Sequence, residues 1–148
     1  MTVERLLAAQ QRAAALGTVL SELIAARLHI TPTDLKCVHL LARAPRTARA
    51  LADELRLTPS AITTVIDRLE RAGFATRERD STDRRQVTVR AVPERVAEAT
   101  AMYRPLYERM TDLVGGYTDD QVALLLDFAE RSAAVLAEEV GRAGEASD

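Results

Sequence analysis

Apolar residues recur at three- and four-residue steps through most of the chain, and this spacing predicts α-helices. It first covers residues 4–28 and returns in the segment that follows Pro32. Pro45 is expected to end that second helix, because a proline disfavours helical backbone at the residue before it. Either Thr31 or Thr33 is expected to cap its start, since a threonine hydroxyl can accept hydrogen bonds from the first free N–H groups.

Two shorter helices are predicted next. The first covers residues 47–55, and the second begins at Thr58 and Pro59, where an N-cap hydroxyl precedes a proline at the first helical position. The apolar stripe of the second helix consists of Ile62, Val65, Ile66 and Leu69. Gly73 is expected to take the left-handed conformation just past its end. Two short helices joined by a few residues have the dimensions of a helix-turn-helix.

Strand-like alternation replaces the helical period on both sides of the charged segment at residues 77–89, "RERDSTDRRQVTV". Residues 74–78 and 86–91 are therefore predicted to form a hairpin. Helical spacing returns from Pro93, and "TDDQ" at residues 118–121 is a capping-box pattern that predicts the start of a last helix. The chain is thus expected to be mainly α, with a small two- to three-stranded β wing beside the helix-turn-helix.

Composition agrees with a helical globular protein. The chain has 148 residues, of which 47% are hydrophobic and 28% charged, while aromatic residues make up only 3%. No apolar run approaches the ~18 residues that a membrane span needs, and no signal-peptide pattern is evident, so we expect a cytoplasmic protein without membrane association. Cys37 is the only cysteine. It is expected to be a buried structural thiol, because free cysteines are usually buried.

Charge is distributed unevenly along the chain. The formal net charge is −2, which by itself argues against nucleic-acid binding. Residues 43–95, however, contain twelve arginines and eight acidic residues, whereas the remainder contains eight basic and fourteen acidic residues. This asymmetry favours a basic working face carried by an acidic body.

The predicted recognition surface combines the second short helix with the charged hairpin. The polar face of that helix carries Ser60, Thr63, Thr64, Arg68 and Arg71. Small hydroxyl groups near a helix N-terminus can approach base edges, and arginines further along can reach phosphates. Arg84 and Arg85 at the hairpin tip suit a narrow minor groove. A solvated turn or an ordinary helical hairpin would explain either feature alone, but their adjacency favours duplex DNA.

The segment from Leu51 to Val89 resembles the winged helix of the MarR (multiple antibiotic resistance regulator) family. The residues that carry the resemblance are Asp67-Arg68-Leu69-Glu70, Gly73, Arg77 and Asp80-Ser81-Thr82-Asp83-Arg84-Arg85. It implies a sequence-specific double-stranded DNA-binding repressor. The flanking helices, residues 1–30 and 93–148, resemble the family's dimerisation region, and residues 31–92 correspond to the DNA-binding region of one intertwined domain.

The resemblance, together with the polar face, gives a set of candidate site residues. The expected DNA-binding residues are Thr58, Ser60, Ala61, Thr63, Thr64, Arg68, Arg77, Asp83, Arg84 and Arg85. Asp83 is expected to pair with a neighbouring arginine and to hold the shape of the hairpin loop. A small aromatic or anionic effector is also implied, with His39, Tyr103, Arg104 and Tyr107 as candidate ligand-binding residues.

The sequence departs from the family pattern at two places. Many members have a basic residue at the position of Thr64, so one base or phosphate contact is missing here. The family usually reads Leu-Thr-Pro-x-Gly after the second wing strand, whereas this chain reads Ala91-Val92-Pro93-Glu94-Arg95. Val92 has no hydroxyl with which to cap the following helix, so the start of that helix is expected to be less rigid.

Several alternatives follow from the same residues. The long apolar stripes of the first and last two helices predict a homodimer on a pseudo-palindromic operator, although an intramolecular bundle would also cover them. An enzyme is disfavoured, because the chain has neither a Gly-rich loop nor a convincing nucleophile–base set. No cofactor is expected, and His29, His39 and Cys37 are too few for a dedicated metal site. A winged helix that binds protein rather than DNA remains the main rival.

Overall fold

The computed structural model describes residues 2–79 and 87–145, and it is mainly α-helical with one small antiparallel sheet. This confirms the predicted fold class. The elements are α1 (Thr2–Arg27), α2 (Pro32–Arg43), β1 (Arg46–Thr47), α3 (Ala48–Leu55), α4 (Pro59–Arg71), β2 (Ala75–Arg79), β3 (Val87–Ala91), α5 (Pro93–Val114) and α6 (Asp119–Glu145). Within the described ranges, no single helix has both the length and the apolar character needed to cross a membrane. Only α1 and α2 taken together do, and they are bent by 94° at their break.

The chain divides into two compact units, Met1–Tyr103 and Arg104–Asp148. The first unit contains α1, the whole helix-turn-helix region, the sheet and the first half of α5. The second contains the remainder of α5 and α6. The assignment of residues 1–30 and 93–148 to dimerisation stays a prediction.

Capping boxes fix the starts of two helices. At α2 the backbone N–H of Asp34 donates to Thr31 Oγ1 at 3.1 Å, and the N–H of Thr31 donates to Asp34 Oδ2 at 3.0 Å. Of the two candidate caps, Thr31 is therefore the one used. At α6 the N–H of Thr118 donates to Gln121 Oε1 at 3.0 Å, and the N–H of Gln121 donates back to Thr118 Oγ1 at 3.4 Å. The capping box predicted from "TDDQ" is confirmed.

Gly73 ends α4 in the predicted left-handed conformation, with φ of +77°. Its N–H donates to the carbonyl of Glu70 at 3.0 Å, and the N–H of Phe74 donates to the carbonyl of Leu69 at 2.8 Å. These two bonds form a Schellman motif, which turns the chain sharply out of the helix. Phe74, fully buried, then leads directly into β2.

The sheet has the strand order β1-β3-β2, and both pairings are antiparallel. In the hairpin Ala75 lies opposite Ala91 and Arg79 lies opposite Val87, so the predicted strands are correct to within one residue at their ends. The third strand is the short β1, in which Thr47 pairs with Thr88. The sequence predicted Thr47 as part of a helix. It instead ends β1 and caps α3, because its hydroxyl accepts the N–H of Ala50 at 3.2 Å.

The core lies in the first unit, between α1, the helix-turn-helix and the sheet. Its largest fully buried side chains include Phe74, Leu35, Leu51, Ile62, Ile66 and Leu69. Cys37 is buried among them, as predicted. Burial, together with the negative charge of Asp34, raises the pKa of the Cys37 thiol to about 12. The thiolate, which is the reactive form, is therefore strongly disfavoured.

Backbone bonds and a ring contact hold the start of α5. The N–H of Val92 donates to the carbonyl of Phe74 at 2.9 Å, and the carbonyl of Val92 accepts the N–H of Val96 at 3.1 Å. The guanidinium of Arg95 lies 4.2 Å from the centre of the Phe74 ring, a cation–π contact. Val92 supplies no side-chain cap, as expected, but Arg95, the residue at the usual glycine position, makes a contact that glycine lacks.

Candidate nucleic-acid interface

A left-handed residue makes the turn between α3 and α4. Arg56 has φ of 52° and ψ of 49°, and the next N–H, that of Leu57, donates to the carbonyl of Ala52 at 2.9 Å. Thr58 then caps α4 by accepting the N–H of Ala61 at 3.2 Å, with Pro59 at the first helical position. The predicted helix-turn-helix is thus present. The left-handed conformation of Arg56 was missed, because an arginine carries no signal for positive φ.

Helix α4 is divided into a buried and an outward face. Ile62, Val65, Ile66 and Leu69 are buried, as predicted. The outward face carries Thr58, Ser60, Thr63, Thr64 and Arg71, all of them exposed, while Ala61 is half-buried beside them. Contact of these residues with DNA stays a prediction.

The hydroxyl groups on this face are engaged by the helix itself. Thr63 Oγ1 donates to the carbonyl of Pro59 at 2.8 Å, and Thr64 Oγ1 donates to the carbonyl of Ser60 at 3.1 Å. The hydroxyls of Thr58 and Ser60 lie 3.2 Å apart, and either can be the donor. The outward face is therefore an ordered array of hydroxyl and methyl groups.

Arg68 is not a fully exposed arginine, contrary to expectation. Its Nη2 donates to Asp34 Oδ1 at 2.7 Å and its Nε donates to Asp34 Oδ2 at 3.1 Å. The side chain of Asp34 is 1% exposed and that of Arg68 is 37% exposed. A bidentate pair of this kind fixes the guanidinium geometrically, because two parallel hydrogen bonds are satisfied at once. The Nε and Nη2 atoms of Arg68 therefore hold α4 against Asp34 and do not face outward.

Asp34 joins the start of α2 to the last turn of α4. Burial alone would raise the pKa of Asp34, but hydrogen bonds from Arg68 and Thr31 outweigh burial and hold that pKa below its ordinary value of 3.8. The hydrogen bond between Arg68 and Asp34 also raises the pKa of Arg68. Sequence reasoning missed Asp34. The pattern Thr31-x-x-Asp34 signals the capping box, but nothing in the sequence signals a partner in α4.

Arg77, at the base of the hairpin, is also paired. Its N–H donates to Glu70 Oε1 at 2.9 Å and its Nη2 donates to Asp67 Oδ1 at 2.7 Å, while its Nη1 pairs with Glu70 Oε2. Arg77 therefore ties β2 to the last turns of α4. Three residues of the family motif thus contact one another, and a contact of Arg77 with DNA stays a prediction.

The remainder of the wing is only partly described. Arg90 on β3 pairs with Glu78 on β2, which links the two strands of the hairpin through their side chains. Asp83, Arg84 and Arg85 lie outside the described residues. Their expected roles at the hairpin tip stay predictions.

Two of the four candidate effector residues lie together. The rings of His39 and Tyr103 are 5.5 Å apart in an edge-to-face arrangement, and the Tyr103 hydroxyl donates to Ser21 Oγ at 3.0 Å. His39 also lines a cavity of about 460 Å³ between α1 and α2, together with Gly17, Thr18, Ser21, Leu35 and Lys36. Arg104 and Tyr107 belong to the second unit. There Arg104 lies 3.7 Å from Glu108.

Comparison with known proteins places this geometry in a family. The sequence model described as "MarR family" matches residues 30–87, which include α2, α3, α4 and β2. An uncharacterized HTH-type transcriptional regulator, YcgE of Bacillus subtilis (strain 168), is 36% identical over 127 residues, covering 84% of this chain and 82% of that protein. The chain belongs to the MarR family.

Solved structures of MarR-family proteins share the fold. A MarR family protein from Bacillus stearothermophilus superposes with a TM-score of 0.69 at 21% identity, covering 94% of this chain and 95% of that one. The apo form of MarR from E. coli superposes with a TM-score of 0.61 at 22% identity, covering 89% and 96%. MarR-family proteins are transcriptional regulators that bind DNA and function as dimers. The chain is therefore a MarR-family transcriptional regulator with a winged helix-turn-helix.

We expect Asp34→Asn to destabilise this MarR-family fold by about 2 kcal/mol at neutral pH, the scale of a hydrogen bond to a charged group. Because the pKa of Asp34 is lowered in the folded state, its contribution is present above the ordinary pKa of 3.8 and is lost as the pH falls through the lower folded-state value. Urea unfolding at pH 7 and in steps below pH 4 should show the two stability curves converging in acid.

Asp127→Asn provides the matched control for that measurement. Asp127 pairs with Arg131 on α6, and its side chain is 60% exposed. An exposed pair of this kind contributes about 0.5 kcal/mol or less. Equal stability of Asp34→Asn and the wild type at pH 7 would contradict the role given to Asp34.

Proposed function

We propose that this regulator is a sequence-specific repressor that acts in the cytoplasm as a homodimer on a pseudo-palindromic operator. The observation that carries the proposal is the outward face of α4, where exposed hydroxyl side chains stand on a helix fixed from behind by the core and by Asp34. A two-fold dimer would present two such helices about one helical turn of DNA apart. Binding over a promoter would then exclude polymerase.

The charge distribution supports DNA over a protein partner. The segment from Arg43 to Arg95 has an excess of four positive charges. Several of these arginines are engaged by carboxylates, namely Arg46, Arg68, Arg77, Arg90 and Arg95. In this proposal the attraction to phosphate comes chiefly from Arg71, which is exposed on the outward face of α4, and from the wing arginines Arg84 and Arg85, whose roles stay predictions.

Two pairs of substitutions separate charge from base contact. Arg84→Ala with Arg85→Ala should weaken binding to every duplex, and the log–log salt slope should fall by ~0.9 for each phosphate that the protein no longer neutralises. Ser60→Ala with Thr63→Ala should instead narrow the gap between preferred and random DNA by about 1–3 kcal/mol per good base contact, with little change in slope. Titration of fluorescent duplexes at several salt concentrations measures both quantities.

Arg131→Ala with Arg142→Ala is the control variant, because it also removes two positive charges, but from α6, where both arginines are paired with carboxylates. This control variant should leave the slope nearly unchanged. If the wild type binds no duplex in a salt-sensitive way, the rival function, a winged helix that binds protein, is favoured.

A promoter that contains the selected sequence, fused to a reporter gene, then tests repression. Deletion of the regulator's gene should raise reporter expression, and lower reporter expression would indicate an activator.

The homodimer is supported by apolar surface that the single chain leaves uncovered. None of the described side chains of α6 is buried. The exposed large apolar residues of α1, α5 and α6 include Leu6, Leu16, Leu23, Leu106, Met110, Leu113, Leu125, Leu126, Leu136 and Val140. Large apolar side chains left exposed on several long helices are typical of an interface, and a symmetric pairing of two chains would cover them.

Leu136→Glu should shift the protein towards monomer in sedimentation-velocity runs at micromolar concentration. The side chain of Leu136 is 66% exposed, and helical spacing places it on one stripe with Val140 and Leu125. A carboxylate there would have to be desolvated in the interface. Leu124→Glu is the matched control, since Leu124 is 68% exposed but lies off that stripe. A wild type that sediments as a monomer, or two variants that sediment alike, would count against this interface.

We further propose a small aromatic or anionic effector that binds near His39 and Tyr103 and lowers operator affinity. The cavity beside His39 supports this, because the cation Lys36 and the hydroxyl of Ser21 line it together with apolar groups. Benzoate serves as the probe: it should weaken duplex binding by the wild type and act less on Lys36→Met. Phenol, which has the aromatic ring but no carboxylate, shows how much of the benzoate effect depends on the negative charge. No effect of either compound would argue against an effector of this class.

A further inference from the structure

The first two turns of α4 carry an unusual set of outward side chains for a DNA-reading helix. The sequence from Thr58 to Thr64 is TPSAITT, so this stretch contains no arginine, lysine, asparagine or glutamine. Those long side chains make the bidentate contacts that identify guanine or adenine in the major groove. A helix without them has to read base pairs through hydroxyl and methyl groups alone.

The hydrogen bonds within α4 decide what those hydroxyl groups can offer. A threonine hydroxyl has one proton and two acceptor lone pairs. The proton of Thr63 is donated to the carbonyl of Pro59 at 2.8 Å, and the proton of Thr64 is donated to the carbonyl of Ser60 at 3.1 Å. Both side chains are exposed. What each presents to a ligand is therefore an acceptor oxygen and a γ-methyl group, and not a donor.

Base edges differ in what they can give to such a side chain. In the major groove guanine shows only acceptors, whereas adenine and cytosine each carry an amino donor, and thymine carries a methyl group. An acceptor oxygen can bond the amino group of adenine or cytosine, and a γ-methyl group can pack on the methyl of thymine. Only the A·T pair offers both the amino donor and the methyl group.

We infer that Thr63 and Thr64 are specificity-determining residues that select A·T pairs, by accepting a hydrogen bond from the adenine amino group and packing on the thymine methyl. This inference rests on the proposed DNA-binding function and goes further by naming the base pair. Ser60 has no such restriction, because its hydroxyl shares a hydrogen bond with Thr58 in which either group can donate. The hydroxyls that can act only as acceptors are therefore those of Thr63 and Thr64, in the second turn of α4.

Matched substitutions separate the two groups of each threonine. Thr63→Val keeps the methyl and removes the acceptor, whereas Thr63→Ser keeps the hydroxyl and removes the methyl; the same pair is available at Thr64. Wild type and variants are each used to select bound sequences from a library of random duplex DNA. Each variant should lose sequence preference at one or two positions of the half-site, and at those positions the wild type should select A·T pairs.

Modified bases then test the contact atom by atom on the duplex that the wild type selects. Replacing one thymine by deoxyuridine removes only the methyl, and replacing one adenine by deoxynebularine removes only the amino group. Removal of a buried methyl group should weaken wild-type binding about fourfold, and removal of the hydrogen bond should weaken it about fivefold. The deoxyuridine effect should vanish in the Ser variant, and the deoxynebularine effect should vanish in the Val variant.

Thr111→Val is the matched control, because Thr111 is an exposed helical threonine whose hydroxyl donates to the carbonyl of Tyr107 at 2.8 Å. It lies in α5, outside the helix-turn-helix, and should keep the wild-type sequence preference and both modified-base effects. The inference would be overturned if the variants lost a preference for G·C rather than A·T at a half-site position. It would also be overturned if each modified base weakened binding by the same factor in every variant. In both cases salt-sensitive binding persists, so the proposed function survives. A wild type that selects no sequence overturns both.

Discussion

The bidentate pair between Asp34 and Arg68 is the interaction on which the orientation of α4 depends. Asp34 lies at the start of α2 and is almost completely buried, so its negative charge requires compensation inside the protein. That compensation comes from α4 through the guanidinium and from α2 through the N–H of Thr31. One carboxylate thereby completes the capping box of α2 and holds α4 beside it, together with the buried apolar face of α4.

A second group of charges lies beside Arg68 in the last turns of α4. Arg77 bridges Asp67 and Glu70, so the first wing strand is tied to the helix that precedes it. Gly73, between Glu70 and Arg77 in the sequence, turns the chain sharply from α4 towards β2. In the part that the structure describes, the charged motif that carries the family resemblance is thus largely engaged in ion pairs within the protein. In the proposed function, recognition falls to the uncharged side chains that precede it in α4.

The sequence was sufficient for features that depend on local chemistry. Apolar spacing located the helices, Thr58 with Pro59 located the start of α4, and Gly73 located its end. It was insufficient where a residue acts through a distant partner or against its usual preference. The exposed role expected of Arg68 was only partly correct, because Asp34 is 34 positions away in sequence and no periodicity reports such a pair. Arg56 adopts a left-handed conformation that glycine or asparagine would have signalled.

Within the described part of the chain, the outward hydroxyls of α4 bond to atoms of their own helix or its cap, and their side chains are exposed. In the proposed function, stability and recognition are therefore encoded largely by different residues of the same thirteen-residue element. A single codon change at the outward positions can alter the preferred DNA sequence while the buried side and the ionic ties remain intact. Gene duplication acting on such a helix would produce regulators with the same fold and different target sites, since Ser60, Thr63 and Thr64 are exposed, whereas Thr58 has to be kept as the cap of α4.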